Sequence, residues 1–168
     1  QEAPSDASTQ AGSCEAQVDA SGDGGDGEVR TTMMMRNIPG GFSRRTLLEL
    51  LGKEGFRDEV DFIYLPADFR TGAITGYAFV NLTSAAAAKR FRRHFHHFGR
   101  WGLRTRLVCN VSWARDDQQG LTANVERYRN SSVMHPSVAD KLRPVLLARG
   151  AAVPFPPPTR RVWPPRAS

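Results

Sequence analysis

The sequence predicts an α+β domain whose strands and helices follow one another in the order βαββαβ. Three observations lead to this class: four short segments rich in apolar and β-branched residues, two segments with apolar residues at helical spacing, and turn residues between them. Two βαβ halves of this kind form the ferredoxin-like arrangement, a four-stranded antiparallel sheet with two helices on one face. The opposite face of the sheet is then available for binding.

The first half of this domain contains a strand, a helix and a second strand. Residues 31–37 (TTMMMRN) predict a short apolar strand that ends at Pro39-Gly40-Gly41. Ser43 is suited to cap the following helix, and the leucines among residues 47–51 supply its buried stripe. Residues 60–66 (VDFIYLP) predict the second strand, with apolar side chains on both faces.

The second half of the domain repeats this pattern. A turn at residues 68–72 leads into a predicted third strand at residues 75–82 (TGYAFVNL). A second helix is predicted from about residue 84 to residue 98, because its apolar residues recur on one face. Residues 107–114 (LVCNVSWA) predict the fourth strand, with the odd-numbered residues from Leu107 onward packed inside.

Side chains alternate between the two faces of a strand, and this alternation predicts which residues lie on the uncovered face. On the third strand the small and aliphatic residues suit packing under helices, so Tyr77 and Phe79 point to the opposite side. The second strand is ambiguous, and its spacing from the following turn favours Tyr64 outward. The residues assigned to this face, or to the strand end beside it, are Thr32, Met34, Arg36, Tyr64, Tyr77, Phe79, Asn81, Asn110, Ser112 and Arg115.

Exposed aromatic rings beside cations and amides suit single-stranded nucleic acid as a ligand. Nucleobases stack on aromatic rings at ~1–3 kcal/mol per base, and arginines bind the phosphates. Tyr77 and Phe79 would supply the rings, while Arg36 and Arg115 would supply the charge. The alternative is that a further chain segment covers both rings, which then belong to the core.

Several segments of the chain resemble a known family. TGYAFVNL at residues 75–82 resembles the longer signature of the RNA recognition motif, and MMMRNI at residues 33–38 resembles the shorter one. Together with the DFIYLPADF segment and RYRNSSVM at residues 127–134, they are similar to the C-terminal RNA recognition motif of the Mei-two-like proteins. The resemblance extends over residues 31–147 and implies binding of single-stranded RNA on the sheet.

Within that resemblance, Tyr77 and Phe79 occupy the two stacking positions of the longer signature. Three residues depart from the signatures. Thr75 replaces a basic residue, which removes a phosphate contact, and Leu82 is a change in packing. Met34 stands where the shorter signature has an aromatic residue, and a thioether makes a softer contact with a base. The resemblance therefore implies a modest intrinsic affinity for RNA.

A short third helix is predicted at residues 121–130, because apolar residues recur at i, i+4 and i+7 from Leu121. Periodicity leaves two placements open for this helix. It lies beside the sheet and extends the RNA site through Arg127 and Arg129, or it lies across the sheet and blocks the site. The predicted domain with this extension helix spans residues 31–134.

Both ends of the chain have the composition of disordered segments. Residues 1–30 contain seven acids and one arginine, a net charge of −6, whereas residues 31–168 carry a net charge of +12. We expect the acidic segment to compete with RNA for the basic domain. Residues 135–168 hold eight of the eleven prolines and predict a mostly disordered tail. Because the chain opens with Gln1, we expect a fragment or a processed form.

Other kinds of function lack their sequence signals. Residues 94–98 (HFHHF) place two histidines on one helix face, and without CxxC or other paired ligands they predict no metal site. No phosphate-cradling loop or nucleophile with a base is present, so we expect no enzyme, cofactor or small-molecule substrate. No run approaches ~18 apolar residues, so no membrane-spanning helix is predicted. Two cysteines, Cys14 and Cys109, favour a reducing compartment, the nucleus or the cytoplasm.

Taken together, the sequence predicts an RNA-binding module that stacks single-stranded RNA on its sheet and serves post-transcriptional RNA regulation. The predicted RNA-binding residues are Met34, Arg36, Tyr64, Tyr77, Phe79, Asn81, Asn110, Ser112, Arg115, Arg127 and Arg129. The alternative is a protein-binding module whose sheet is covered or holds a peptide. The proline-rich tail and the second helix stay open as further contacts for a protein partner.

Overall fold

The computed structural model describes residues 29–166, and its elements follow the predicted order through the fourth strand. The first six elements are β1 (Thr32–Arg36), α1 (Arg44–Lys53), β2 (Val60–Tyr64), β3 (Tyr77–Leu82), α2 (Ala85–Phe95) and β4 (Asn110–Trp113). They are followed by α3 (Leu121–Arg129), β5 (Val145–Ala148) and β6 (Ala151–Val153). Residues 1–28 of the predicted acidic segment lie outside the described residues, so its disorder stays a prediction.

The strands of residues 29–166 form one antiparallel sheet in the order β4-β1-β3-β2-β5-β6. The first four strands in this order are the ferredoxin-like sheet that the sequence predicts. The sheet has six strands rather than four, because a hairpin of β5 and β6 is added at the β2 edge. The central strands β1 and β3 are therefore flanked on both sides, and β2 is covered along its free edge.

The structure differs from the predicted disordered tail at residues 145–153. Leu146 and Leu147 of β5 are buried, one on each side of the sheet. Burial of these two apolar side chains stabilises the pairing of this short strand with the β2 edge. Arg149 and Gly150 join the two strands with φ values of 50° and 80°. Positive φ at both central residues is typical of the tight turn that matches strand twist. The high proline content of the surrounding segment hides this hairpin in the sequence.

The main core lies between the sheet and the helices α1 and α2. Met33, Met35 and Val80 are buried under the helices, as the alternation of side chains predicts for β1 and β3. Leu47 of α1 and Phe91 of α2 are fully buried against them. Burying a side chain of this size contributes ~1.5–3 kcal/mol, so this layer fixes which face of the sheet points away from the helices.

Both helices that cover the sheet begin at the predicted residues. Ser43 caps α1 in a reciprocal pattern: its hydroxyl accepts from the Thr46 N–H at 3.2 Å, and the Thr46 hydroxyl accepts from the Ser43 N–H at 2.7 Å. Ser84 caps α2 by accepting from the Ala87 N–H at 3.1 Å. These caps satisfy backbone N–H groups that the first helical turn leaves without partners.

The predicted position of Leu107 in the fourth strand is wrong. Strand β4 begins only at Asn110, and Leu107 is 42% exposed. The reason is a competing hydrogen bond, since the Leu107 carbonyl accepts from the Trp101 indole Nε1 at 2.8 Å instead of from a neighbouring strand. The Val108 carbonyl likewise accepts from the Asn37 side-chain amide at 3.1 Å. The chain therefore runs as an irregular loop until it reaches β4.

A second hydrophobic cluster lies on the sheet face that points away from α1 and α2. It joins outward side chains of the sheet to α3 and to the chain that follows α3. Its buried members are Met34, Phe62, Tyr64, Phe79, Ala114, Tyr128, Val133 and Leu146. This outer cluster means that the face predicted to be open is partly covered.

Within residues 29–166, no helix is both long and apolar enough to span a bilayer.

Candidate nucleic-acid interface

The strand register arranges the outward side chains of the described sheet in three rows that cross the strands. The first row is Asn110, Arg36 and Tyr77; the second is Ser112, Met34, Phe79 and Tyr64; the third is Thr32, Asn81, Phe62 and Leu146. Each row contains one residue from each of several neighbouring strands, so a ligand could lie across them. The rows differ in how far α3 covers them.

The third row is closed by polar contacts at the start of α3. The Thr32 hydroxyl accepts from the Gly120 N–H at 2.9 Å and from the Asn124 amide at 3.2 Å, and it donates to Asn81 Oδ1 at 2.8 Å. The Asn81 amide in turn donates to Asp61 Oδ1 at 2.8 Å. Asn81 is 2% exposed, so this predicted RNA contact is engaged inside the protein.

Gln119 fixes the same end of the sheet from the segment before α3. Its Oε1 accepts from the backbone N–H groups of Thr31 and Thr32 at 3.1 and 3.0 Å. Its amide donates to the carbonyls of Thr32 and Ala114 at 3.0 and 2.8 Å. One side chain therefore satisfies the backbone at the start of β1 and the end of β4, which anchors the beginning of α3 over the third row.

The second row is closed by aromatic packing. The Tyr128 ring of α3 stacks on Phe62, with ring centres 5.7 Å apart and an angle of 22° between the planes. It also meets the edge of Tyr64 at 4.9 Å. Phe79, predicted to be a stacking platform, is 3% exposed within the outer cluster that Tyr128 joins, and Met34 is buried in the same cluster. A base could stack on Phe79 only after part of this cluster opens.

The first row stays partly exposed to solvent. Tyr77, Arg36 and Asn110 come from three adjacent strands and lie side by side at the end of the sheet opposite the start of α3. The Tyr77 ring meets Phe79 edge-on at 5.8 Å, which fixes its orientation on the sheet. An aromatic ring, a guanidinium and an amide are therefore brought together where a nucleotide could reach them.

Exposed arginines border this end of the sheet. Arg104 and Arg106 lie in the loop before β4, and Arg70 lies in the turn between β2 and β3. Asp68 shapes that turn, because its carboxylate accepts from the backbone N–H groups of Thr71 and Arg70, each at 2.8 Å. These hydrogen bonds lower the pKa of Asp68. None of these three arginines is among the residues predicted from the sequence. Their positions in the turn after β2 and in the loop before β4 are the signal that could have identified them.

The predicted arginines of α3 and of the β4 end are placed differently. Arg129 donates through Nε and Nη2 to the Pro157 carbonyl at 3.0 and 2.8 Å, and through Nη1 to Glu126 at 2.9 Å. The Arg127 guanidinium lies 5.9 Å from the Tyr128 ring. Arg115 pairs with Asp117 at 3.5 Å, and Ser112 is half-buried. Helix α3 thus lies across the second and third rows, which answers the question that periodicity left open.

No set of three or more His, Cys, Asp and Glu side chains in residues 29–166 is arranged to hold a metal ion. Burial raises the pKa of the Cys109 thiol to about 12, so Cys109 packs as a neutral apolar side chain. The polar chemistry near the sheet is therefore that of hydrogen bonds, aromatic rings and guanidinium groups.

The chain is similar in sequence to several known proteins. The chain is similar to the terminal ear1 homolog of Oryza sativa subsp. indica, with 36% identity over 137 residues, which cover 72% of this chain and 20% of that protein. It is 37% identical over 132 residues to terminal ear1 of Zea mays (70% of this chain, 20% of that protein). It is 34% identical over 135 residues to MEI2-like 3 of Oryza sativa subsp. japonica (77% and 14%). The Mei-two-like resemblance is thereby confirmed, and the chain spans a fifth or less of the length of these relatives.

Among solved structures, the RNA15 RRM shares 15% identity and a TM-score of 0.45, covering 54% of this chain and 97% of that one. The Sxl-lethal protein/RNA complex shares 24% identity and a TM-score of 0.43, covering 51% and 47%. These scores are too low to add to the assignment, which rests on a family model. The family model described as RNA recognition motif 2 matches residues 30–129 of this sequence, more than half of the chain. The chain therefore belongs to the RNA recognition motif 2 family and carries the RNA-binding module of that family.

Proposed function

We propose that this module binds single-stranded RNA at the first row of its sheet, with one base stacked on Tyr77, in the service of post-transcriptional RNA regulation. One observation carries the proposal: Tyr77, Arg36 and Asn110 lie in register on three adjacent strands and remain partly exposed, while the other rows are covered. Stacking contributes ~1–3 kcal/mol per base, and the amide suits a base edge. Arg36 suits a phosphate or the face of a base.

The arginines around this end of the sheet support the same path for the RNA backbone. Arg70, Arg104 and Arg106 are exposed on loops that flank the first row. Each phosphate that they neutralise releases counterions, so the logarithm of the binding constant falls with the logarithm of the salt concentration by about 0.7 per phosphate. A salt titration therefore counts the phosphates that the module contacts.

The covered second row limits the resting affinity. With Phe79 buried in the outer cluster, the closed module offers Tyr77 as its stacking ring on this face of the sheet. We infer that the closed module contacts a shorter stretch of RNA than one that uses both positions of the longer signature.

The test compares RNA binding by the full chain with Tyr77→Ala and Tyr77→Phe, using a randomised pool of single-stranded RNA at several salt concentrations. Tyr77→Phe is the matched control, because it keeps the ring that stacks. We expect Tyr77→Ala to bind about 5- to 160-fold more weakly, the factor that one lost stacking contact represents, and Tyr77→Phe to bind within about threefold of the wild type.

A second candidate function is favoured by a specific observation, the burial of the second-row aromatics under α3. In that case the sheet face is a structural layer, and the module binds a protein through α2 or the proline-rich tail. Equal RNA binding by Tyr77→Ala and the wild type would support this alternative, with the remaining affinity for RNA being purely electrostatic. A loss confined to Tyr77→Ala would support the RNA site instead.

A further inference from the structure

The segment that follows β6 returns to the end of α3 and is fixed there by hydrogen bonds. The Arg129 guanidinium donates to the Pro157 carbonyl at 3.0 and 2.8 Å. Asn130, the residue directly after α3, accepts from the Thr159 N–H at 2.9 Å and donates to the Thr159 hydroxyl at 2.9 Å. The tail is therefore held at two consecutive side chains at the end of the helix that covers the second row.

The same segment also reaches the outer cluster. Phe155 is partly buried and packs against the cluster that contains Phe79 and Tyr128. The Phe155 ring and the hydrogen-bonded residues Pro157 and Thr159 all lie within five consecutive residues. This short segment therefore contacts both the end of α3 and the outer cluster. Releasing α3 from the sheet would require these contacts to break.

The proline content of residues 154–159 favours docking of this segment onto the end of α3. Prolines at 154, 156, 157 and 158 restrict the backbone before it docks, so docking costs less conformational entropy than it would for a flexible tail. A proline also has no N–H that must find a partner, while its carbonyl remains an acceptor, as Pro157 shows with Arg129. The proline run therefore forms a stiff connection between Phe155 and Thr159.

We propose that residues 155–159 form a strap that holds α3 over the second row and thereby sets how many bases the sheet can stack. With the strap bound, RNA uses Tyr77; with the strap released, Phe79 becomes a second stacking position. The inference rests on the proposed function, since it concerns the same sheet. The open state then contributes to the apparent affinity for a longer RNA its intrinsic affinity multiplied by the fraction of molecules whose strap is open.

The test uses the full chain with Phe155→Ala/Thr159→Ala and a matched control, Trp163→Ala. Trp163 is an aromatic of the same tail that lies beyond the strap, and it is 47% exposed. We expect the double variant to bind the randomised single-stranded RNA pool about tenfold more tightly, because a larger fraction of molecules is open. Hydrogen exchange at the α3 amides should accelerate by a similar factor. Trp163→Ala should change neither quantity.

Adding Phe79→Leu to the double variant identifies the source of the gain. This change keeps an apolar side chain in the cluster but removes the ring, so the gain in affinity should disappear. If the double variant binds RNA no more tightly than Trp163→Ala, the strap does not control the sheet, whether or not α3 exchanges faster. Loss of binding in Tyr77→Ala alongside that result would overturn the strap and leave the proposed function standing.

A second pair of variants covers the case in which the double variant does not fold. One chain ends after Val153 and lacks the strap, and the other ends after Thr159 and keeps it. Both lack Arg160, Arg161 and Arg166, so their charges match. Tighter RNA binding by the shorter chain supports the strap, and equal binding by the two chains overturns it.

Discussion

Asp61 has a carboxyl group whose ionisation is disfavoured in the folded protein. It lies partly buried on β2 and accepts a hydrogen bond from the Asn81 amide at 2.8 Å. Burial raises the pKa of Asp61 above the ordinary value of 3.8, and the hydrogen bonds from Asn81 and the backbone offset only part of this effect. Since the folded pKa lies above the unfolded one, ionisation of Asp61 lowers the stability of the fold as the pH rises through this range.

Replacing Asp61 by Asn should therefore stabilise the domain at neutral pH. The Asn side-chain oxygen can still accept from the Asn81 amide, but no charge has to be buried. We expect a higher Tm than the wild type at pH 7 and a difference that shrinks as the pH falls toward 3.8 and is absent below it. Thermal unfolding at several pH values measures this, with the exposed Asp58→Asn as a control. A lower Tm for Asp61→Asn at pH 7 would contradict the argument.

His96 gives a pH dependence of the opposite kind. Its Nδ1 accepts from the Val111 N–H at 3.1 Å, which requires the neutral ring. Desolvation, together with the nearby His97 and Arg92, lowers the pKa of His96 from 6.5. The unfolded chain then takes up the proton first, so stability is full above pH 6.5 and falls as the pH drops below it. We expect His96→Asn, which keeps an acceptor near Val111, to lose less Tm between pH 7 and pH 5 than the wild type. An equal loss in both proteins would exclude His96 as the sensor.

At the scale of elements, the position of α3 decides which chemistry the sheet offers. The sequence predicts the helix itself well, since residues 121–130 were expected and Leu121–Arg129 is observed. It does not predict where the helix lies. The anchors of α3 are contacts between residues far apart in the sequence, such as Gln119 with Thr32, and such pairs leave no periodic signal. The apolar stripe says only that one face of the helix must be covered.

Tyr128 is the side chain through which α3 holds the aromatic rows. Tyr128→Ala removes the ring that stacks on Phe62 and meets Tyr64. Truncations of this size in packed clusters lose ~3–5 kcal/mol, here from the free energy needed to lift α3 off the sheet. We expect hydrogen exchange at the α3 amides to accelerate by ~100-fold or more, while the amides of β1 and β3 remain protected. Tyr128→Phe keeps the ring and should have a much smaller effect. Faster exchange throughout the sheet would show that α3 is part of one cooperative unit.

The β5–β6 hairpin illustrates a different limit of sequence interpretation. Val145 to Ala148 is an ordinary β pattern, but it stands among prolines whose composition indicates an irregular chain. What makes it a strand is the free edge of β2, where Phe62 pairs with Leu146 and Ile63 with Val145. An edge supplied by a distant part of the chain is invisible to composition. The first two strands of the predicted βαββαβ core, by contrast, end close to Pro39 and Pro66, and the sequence shows these breakers directly.

At the scale of the whole molecule, charge is the property that sequence alone describes most fully. Residues 1–30 have a net charge of −6 and residues 31–168 a net charge of +12. Exposed arginines flank the first row of the sheet, so the acidic segment and the RNA phosphates would be attracted to the same surface. RNA must reach this surface by diffusion, whereas the acidic segment is tethered to the domain. The tether gives the acidic segment a high effective concentration at the surface.

Removing residues 1–28 should therefore tighten RNA binding at low salt, and the gain should shrink as salt screens both interactions. The deletion stops before Arg30, which pairs with Asp116 at 3.6 Å and helps to hold the start of β1. A full-length chain whose seven acids in this segment are changed to Asn and Gln is the matched control, because it removes the charge and keeps the length. If charge is the cause, both proteins gain equally in a titration with single-stranded RNA at several salt concentrations. A gain from the deletion alone would assign the effect to the bulk of the segment, and no gain from either would end the idea of competition.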